Sequence, residues 1–164
     1  MDQVDLELVR SVSSRHEIAE LLARYCRGID RCDADELDRV FADDATLDYG
    51  SGPRDKASTC ASLLAALSGM RLTHHRICNT IIELYGDRAK AETGCVALHI
   101  LGEHGAEVEM TVGGRYLDRL ERRDGAWRIQ KVVEGLRAFG YYNAGQDCTA
   151  ACRIYAGKKV YDKL

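Results

Sequence analysis

The hydrophobic period of this 164-residue chain changes once, near residue 72, and that change restricts the fold more than any other feature. Before it, apolar residues recur at spacings of three and four. Ile18, Leu21, Leu22, Tyr25 and Ile29 form one stripe, which predicts a helix over residues 14–30. Ser14 followed by Glu17 has the form of a capping box, so the helix is expected to begin there. Asp33 with Glu36 opens a second, short helix that buries Leu37, Val40 and Phe41, and Ala42, Asp43 and Asp44 are expected to break it. Residues 46–49 alternate and predict a short strand, stopped by the Gly/Pro turn at 50–53. A third helix is expected from about residue 56 to residue 68, with Leu63, Leu64 and Leu67 inward and Gly69 at its end.

After residue 72 the period is two. Residues 74–84, 89–101, 108–122 and 127–133 predict four long antiparallel strands, the last extending toward Tyr142. On the first of these, His75, Ile77 and Ile81 are expected on one face, and Cys78, Ile82 and Leu84 on the other. On the second, Val96, Leu98 and Ile100 oppose Cys95, Ala97 and His99. Gly113 and Gly114 predict a bulge in the third, and Arg123, Asp124 and Gly125 a hairpin turn. The tail over 143–164 is expected to carry a short helix at 149–155. Helices first and strands afterwards indicate an α+β fold. A strongly bent antiparallel sheet wrapped around the N-terminal helices makes a cone, and alternate strand positions line its inside. With no repeats, low-complexity tracts or linker, residues 1–164 are expected to form one domain with its core at about 12–140.

The net charge of −3 gives no electrostatic footing for nucleic acid. No apolar run approaches the roughly 18 residues of a membrane span, and the first residues have no basic or apolar leader pattern, so a cytoplasmic location is expected. The seven cysteines, Cys26, Cys32, Cys60, Cys78, Cys95, Cys148 and Cys152, contain no C-x-x-C pair and read as reduced core residues rather than a zinc set.

Two stretches carry candidate chemistry. Tyr25, Cys26, Arg27, Gly28, Ile29 and Asp30 end the first helix with a carboxylate where the helix dipole disfavours one. Thr73, His74 and His75 open the first long strand. A carboxylate that holds one imidazole nitrogen protonated leaves the other free as a base. The residues alone leave His75 open between that role and a hydrogen-bonded core histidine. His74 is expected to point the opposite way, His104 to be solvated in a turn, and His16 to lie exposed. A metal held by Asp30, His75 and His99 is conceivable, but nothing in their spacing demands it. There is no Gly-x-Ser-x-Gly nucleophile and no Gly-rich dinucleotide turn.

The segment 18–49, the run Thr73 to Asn79, and residues 114–129 resemble the SnoaL-like branch of the nuclear transport factor 2-like superfamily. The resemblance covers roughly residues 12–140 and implies a cone-shaped, cystatin-like α+β barrel with a deep apolar pocket. Scytalone dehydratase, hexachlorocyclohexane dehydrochlorinase and bile-acid 7α-dehydratase are the most similar enzymes in motif. The resemblance implies a lyase with no cofactor and no metal. Asp30 and His75 would be its dyad, with Tyr25, Tyr49 and His99 as further catalytic side chains. It also implies a small apolar cyclic substrate. The apolar outer faces expected of the strands, with Cys78, Ile82 and Leu84 on one and Val96, Leu98 and Ile100 on the next, predict a homo-oligomer joined through the outer face of the sheet, and the resemblance makes it a trimer first and a dimer second. Where the dehydratase has a tyrosine, a serine and an asparagine, this chain has Ile29, Gly114 and Tyr116, and an arginine of the dehydrochlorinase falls at Val132. For Tyr116 core packing is the expected role. Two other readings stay open: an isomerase or cyclase that returns the proton or closes a ring, and a non-catalytic module such as the small subunit of an aromatic-ring dioxygenase.

Overall fold

The computed structural model describes residues 3–50 and 52–134. The chain runs α1 (Gln3–Asp30), α2 (Ala34–Val40), β1 (Phe41–Asp48), β2 (Arg54–Asp55), α3 (Lys56–Ser68), β3 (Leu72–Tyr85), β4 (Arg88–Leu101), β5 (Val108–Arg123) and β6 (Ala126–Glu134). The six strands form one open sheet in the order β2-β1-β6-β5-β4-β3. The helices cover its inner face, giving the expected cone-like α+β fold. One pairing departs from the antiparallel expectation: β1 runs parallel to β6, so the sheet is mixed.

The core lies between α1 and the inner faces of β4, β5, β6 and β1. Ile18, Leu22, Ile29, Leu37, Phe41, Leu47, Leu120 and Ile129 are fully buried there, each worth about 1.5–3 kcal/mol of transfer free energy. The inner face of β4 carries small residues, Ala89, Ala91, Thr93, Cys95 and Ala97. At Gly28 a Cβ would lie 2.9 Å from Leu37 Cδ2, so its absence lets α2 fold back onto α1.

Several local expectations need correction. α1 begins at Gln3, not at Ser14. Nothing in the preceding residues breaks a helix, so the Ser14/Glu17 pattern falls inside it. Ser14 is buried and its hydroxyl accepts from Arg122 at 3.2 Å, while Ser13 donates to Glu17 at 2.7 Å. Asp33 does cap α2, accepting the Glu36 N–H at 2.9 Å. Phe41, however, is already extended and starts β1, which Ala42, Asp43 and Asp44 continue rather than break. That edge tolerates them because Asp43 and Asp44 face solvent and meet Lys56 and Arg123.

The bulge expected at Gly113 and Gly114 is absent, for β4 and β5 pair without interruption from Leu101↔Val108 to Arg88↔Glu121. An irregularity lies instead in β3, between Ile77 and Thr80. One inserted residue exchanges the two faces of a strand. Ile81 is therefore 61% exposed, while Ile82 and Leu84 turn in against the core, the reverse of the expected assignment. The predicted extension toward Tyr142, the tail helix at 149–155, Cys148 and Cys152 lie outside the described residues. At the β5–β6 hairpin, Asp124 and Gly125 both have positive φ (49° and 79°), the pair of values that a tight two-residue turn requires.

Candidate active site

Asp30 is the last residue of α1. The helix stops there because Cys32 adopts a left-handed conformation (φ 50°) and the Asp33 N–H returns to the Gly28 carbonyl at 2.8 Å. A carboxylate at a helix C-terminus faces the negative end of the dipole and needs donors from elsewhere. β3 supplies them. Among the described residues it is the edge strand of the sheet and pairs with β4 alone, so alternate N–H groups along its other side have no ladder partner there. The His75 N–H donates to both oxygens of Asp30, at 3.0 and 2.9 Å, and its ring Nδ1 lies 2.7 Å from Asp30 Oδ1. Thr73 Oγ1 lies 3.5 Å from the same oxygen.

This arrangement fixes the chemistry of the ring. A carboxylate only accepts, so Nδ1 carries the proton of that contact, and in the neutral ring the lone pair is then on Nε2. The His75 side chain is 9% exposed. Its ring meets His99 edge to face, with centroids 5.4 Å apart. His99 belongs to the small-residue face of β4, as expected, and is buried. Burial holds its imidazole below the ordinary histidine value, with the neighbouring His75 acting in the same direction and Asp30 against them. Among the described residues the Nδ1 of His99 has no hydrogen-bond partner.

Tyr25 and Tyr49 form a second group. Their hydroxyls lie 2.7 Å apart. The Tyr25 ring is buried edge-on between Phe41 and Tyr116, at 5.7 and 5.4 Å between centroids. Tyr116 is core, as expected, and its hydroxyl accepts a hydrogen bond from Cys95 Sγ at 3.3 Å. Five residues along α1 turn Asp30 about 140° from Tyr25. The tyrosines therefore face the sheet interior while Asp30 faces the edge strand.

Three features escaped the sequence reading. Thr73 joins the Asp30 cluster. His74, expected to point away, places Nδ1 3.8 Å from Asp30 Oδ2. Asp118 lies inside the core, neither of its carboxylate oxygens has a hydrogen-bond partner among the described residues, and burial pushes its carboxyl up to about 8. The alternation could have found Asp118, since it sits between inward Tyr116 and Leu120. A cleft of about 520 Å³ opens at the Asp30 cluster, lined by Asp30, His75, His74, Thr73, Arg27 and Arg31 among others. No group of three or more His, Cys, Asp or Glu side chains among the described residues is arranged to hold a metal ion. No described helix is long and apolar enough to cross a membrane.

A SnoaL-like domain matches residues 10–133. An uncharacterized protein of Mycobacterium tuberculosis is 31% identical over 133 residues, covering 77% of this chain and 87% of the relative. Two solved structures are similar in fold. A hexachlorocyclohexane dehydrochlorinase of Novosphingobium barchaimii superposes with a TM-score of 0.68 at 20% identity, covering 79% of this chain and 90% of its own. A proposed scytalone dehydratase of Novosphingobium aromaticivorans gives 0.69 at 18% identity, with 76% and 84% covered.

Proposed function

The chain belongs to the SnoaL-like domain family, and on that footing we propose that it is a cofactor-independent lyase. It eliminates water or halide from a small cyclic or polycyclic substrate bearing a carbonyl. The contact that carries this reading is the one between Asp30 and His75 Nδ1, at 2.7 Å, with the backbone of His75 bound to the same carboxylate. The ring is thereby locked in one tautomer and one orientation, the condition for a positioned base. The similar structures named for elimination enzymes support the reaction class.

In this reading His75 Nε2 takes a proton from the carbon beside the carbonyl, and Asp30 stabilises the imidazolium. The hydrogen-bonded hydroxyls of Tyr25 and Tyr49 stabilise the enolate oxygen as its charge develops. The electron pair then returns to form the carbon–carbon double bond and expels the leaving group. If that group is hydroxyl, it departs as water with the proton that His75 took from carbon. Product mass is the test. Substrate extracted from the purified protein, or a cyclic hydroxyketone or haloketone supplied in its place, is expected to lose one water or one hydrogen halide on incubation. A product of unchanged mass would replace elimination with isomerisation, and no turnover of any kind would favour the non-catalytic reading.

Assembly as a homo-oligomer, a trimer first and a dimer second, belongs to the same reading. Leu72, Ile81 and Val96 are 42%, 61% and 36% exposed on the outer face of β3 and β4. These residues, not Ile82 and Leu84, are the ones that association would cover. Light scattering during size exclusion is expected to give about three times the 18.2 kDa of one chain. A mass near one chain at micromolar concentration would contradict it.

A further inference from the structure

We propose that His74 is a positioning residue that holds Asp30 from the solvent side, so that two histidines share one carboxylate and the charge on the outer one sets the basicity of the inner one. Adjacent residues of a strand point to opposite faces, and His74 and His75 do so. They reach the same carboxylate because Asp30 sits over the free edge of the sheet rather than above either face. His75 contacts Oδ1 from the buried side with its ring 2.7 Å away, while His74 approaches Oδ2 from the open side at 3.8 Å. Their side chains are 9% and 52% exposed, and Asp30 between them is 19% exposed. The inner ring is largely buried and the outer ring half exposed, and both line the same cleft.

At 3.8 Å the His74 contact is an ion-pair distance and not a hydrogen bond. It strengthens when His74 gains a proton, and a protonated His74 then competes for the negative charge that supports His75. The other charged and titratable groups around the carboxylate come from each element packed on it. α1 brings Arg27 and Arg31, which line the same cleft, and the thiol of Cys26. Arg27 is already paired with Glu36 at 3.2 Å. β3 brings His75 itself, and Arg76 exposed two residues beyond His74. β4 brings His99 against the buried ring. Among these, His74 and His75 are the imidazoles that contact the carboxylate oxygens directly.

This inference rests on the role proposed for Asp30 and His75, but its test needs no turnover. Nitrogen-15 spectra of the histidine rings of the full chain are recorded across pH 5–9 for the native protein, His74→Gln and His74→Phe, with His75→Gln for assignment. A second charge sharing the carboxylate across a partly hydrated site is worth roughly half a pH unit, so both His74 variants are expected to raise the His75 midpoint by about that much. A His75 midpoint that is the same in all three proteins would overturn the proposal and leave the Asp30–His75 reading intact. If Nδ1 of His75 proved unprotonated in the native protein, the dyad itself would fall, whatever His74 does.

Discussion

Replacing His75 with alanine is expected to lower turnover by about 10²–10⁴-fold, the usual contribution of a positioned general base. The same change is expected to leave circular dichroism unchanged and melting nearly so. The reason lies in how Asp30 is held. Two of its three short contacts come from the His75 backbone N–H, which an alanine retains. The helix end therefore stays anchored to the edge strand while the imidazole is gone. Activity on the identified substrate and a thermal melt check both halves. Full turnover in a folded His75→Ala protein would remove the base from the mechanism. Loss of turnover together with loss of fold would show His75 to be a structural residue.

The second large effect concerns stability. Asp118→Asn is expected to stabilise the protein at pH 8 and to change little at pH 4. Burial pushes the Asp118 carboxyl up to about 8, whereas in the unfolded chain it titrates near the usual 3.8. From about pH 4 to about pH 8 the folded protein holds a proton that the unfolded chain has lost, so stability falls as pH rises through that window. Asparagine is neutral throughout and lacks this dependence. Allowing for relaxation and water entry around a buried charge, the gain at pH 8 is on the order of 2–4 kcal/mol. Thr93 lies diagonally across from Asp118 on β4, is fully buried and has no partner for its hydroxyl among the described residues. The asparagine amide thus enters a space that already holds a polar neighbour. Melting temperatures of both proteins between pH 4 and pH 8 make the check. Parallel curves would show that Asp118 does not carry a buried proton.

The outline of this fold was legible because period is a strong signal over long elements. The four long strands, α3 from residue 56 to 68 and the Asp33 cap all follow from spacing. What failed were features that spacing does not encode. A serine–glutamate pair looks like a helix start whether or not the preceding residues are helical, and here they are, from Gln3 onward. Two adjacent glycines in β5 suggest a bulge, yet the strand stays in register with β4. The displaced residue lies in β3, where nothing in the Cys78 and Asn79 side chains announces it. That single slip explains why Ile81, Ile82 and Leu84 were assigned to the wrong faces, whereas His75 and Ile77, which precede it, were assigned correctly. The parallel pairing of β1 with β6 joins residues about eighty apart and has no local signature.

The site was legible in part, and for chemical reasons. Asp30 stood out because a carboxylate at a helix end needs compensation, and the structure supplies it from the edge strand. Motif resemblance, not pattern, singled out Tyr25, Tyr49 and His99. The approach of His74 to the carboxylate depends on Asp30 overhanging a sheet edge, a relation that appears only once the strand order is known.

The central claim is that Asp30 and His75 act as one unit that removes a proton from carbon. A double-mutant cycle tests it most directly, using turnover of the identified substrate by the native protein, Asp30→Asn, His75→Ala and the double variant. Asparagine keeps the size of the side chain but offers one acceptor oxygen where three short contacts now converge. The predicted result is a loss of about 10²–10⁴-fold in each single variant and no further loss in the double, because either change disables the same base. Losses that multiply in the double variant, or an Asp30→Asn protein as active as the native one, would contradict it.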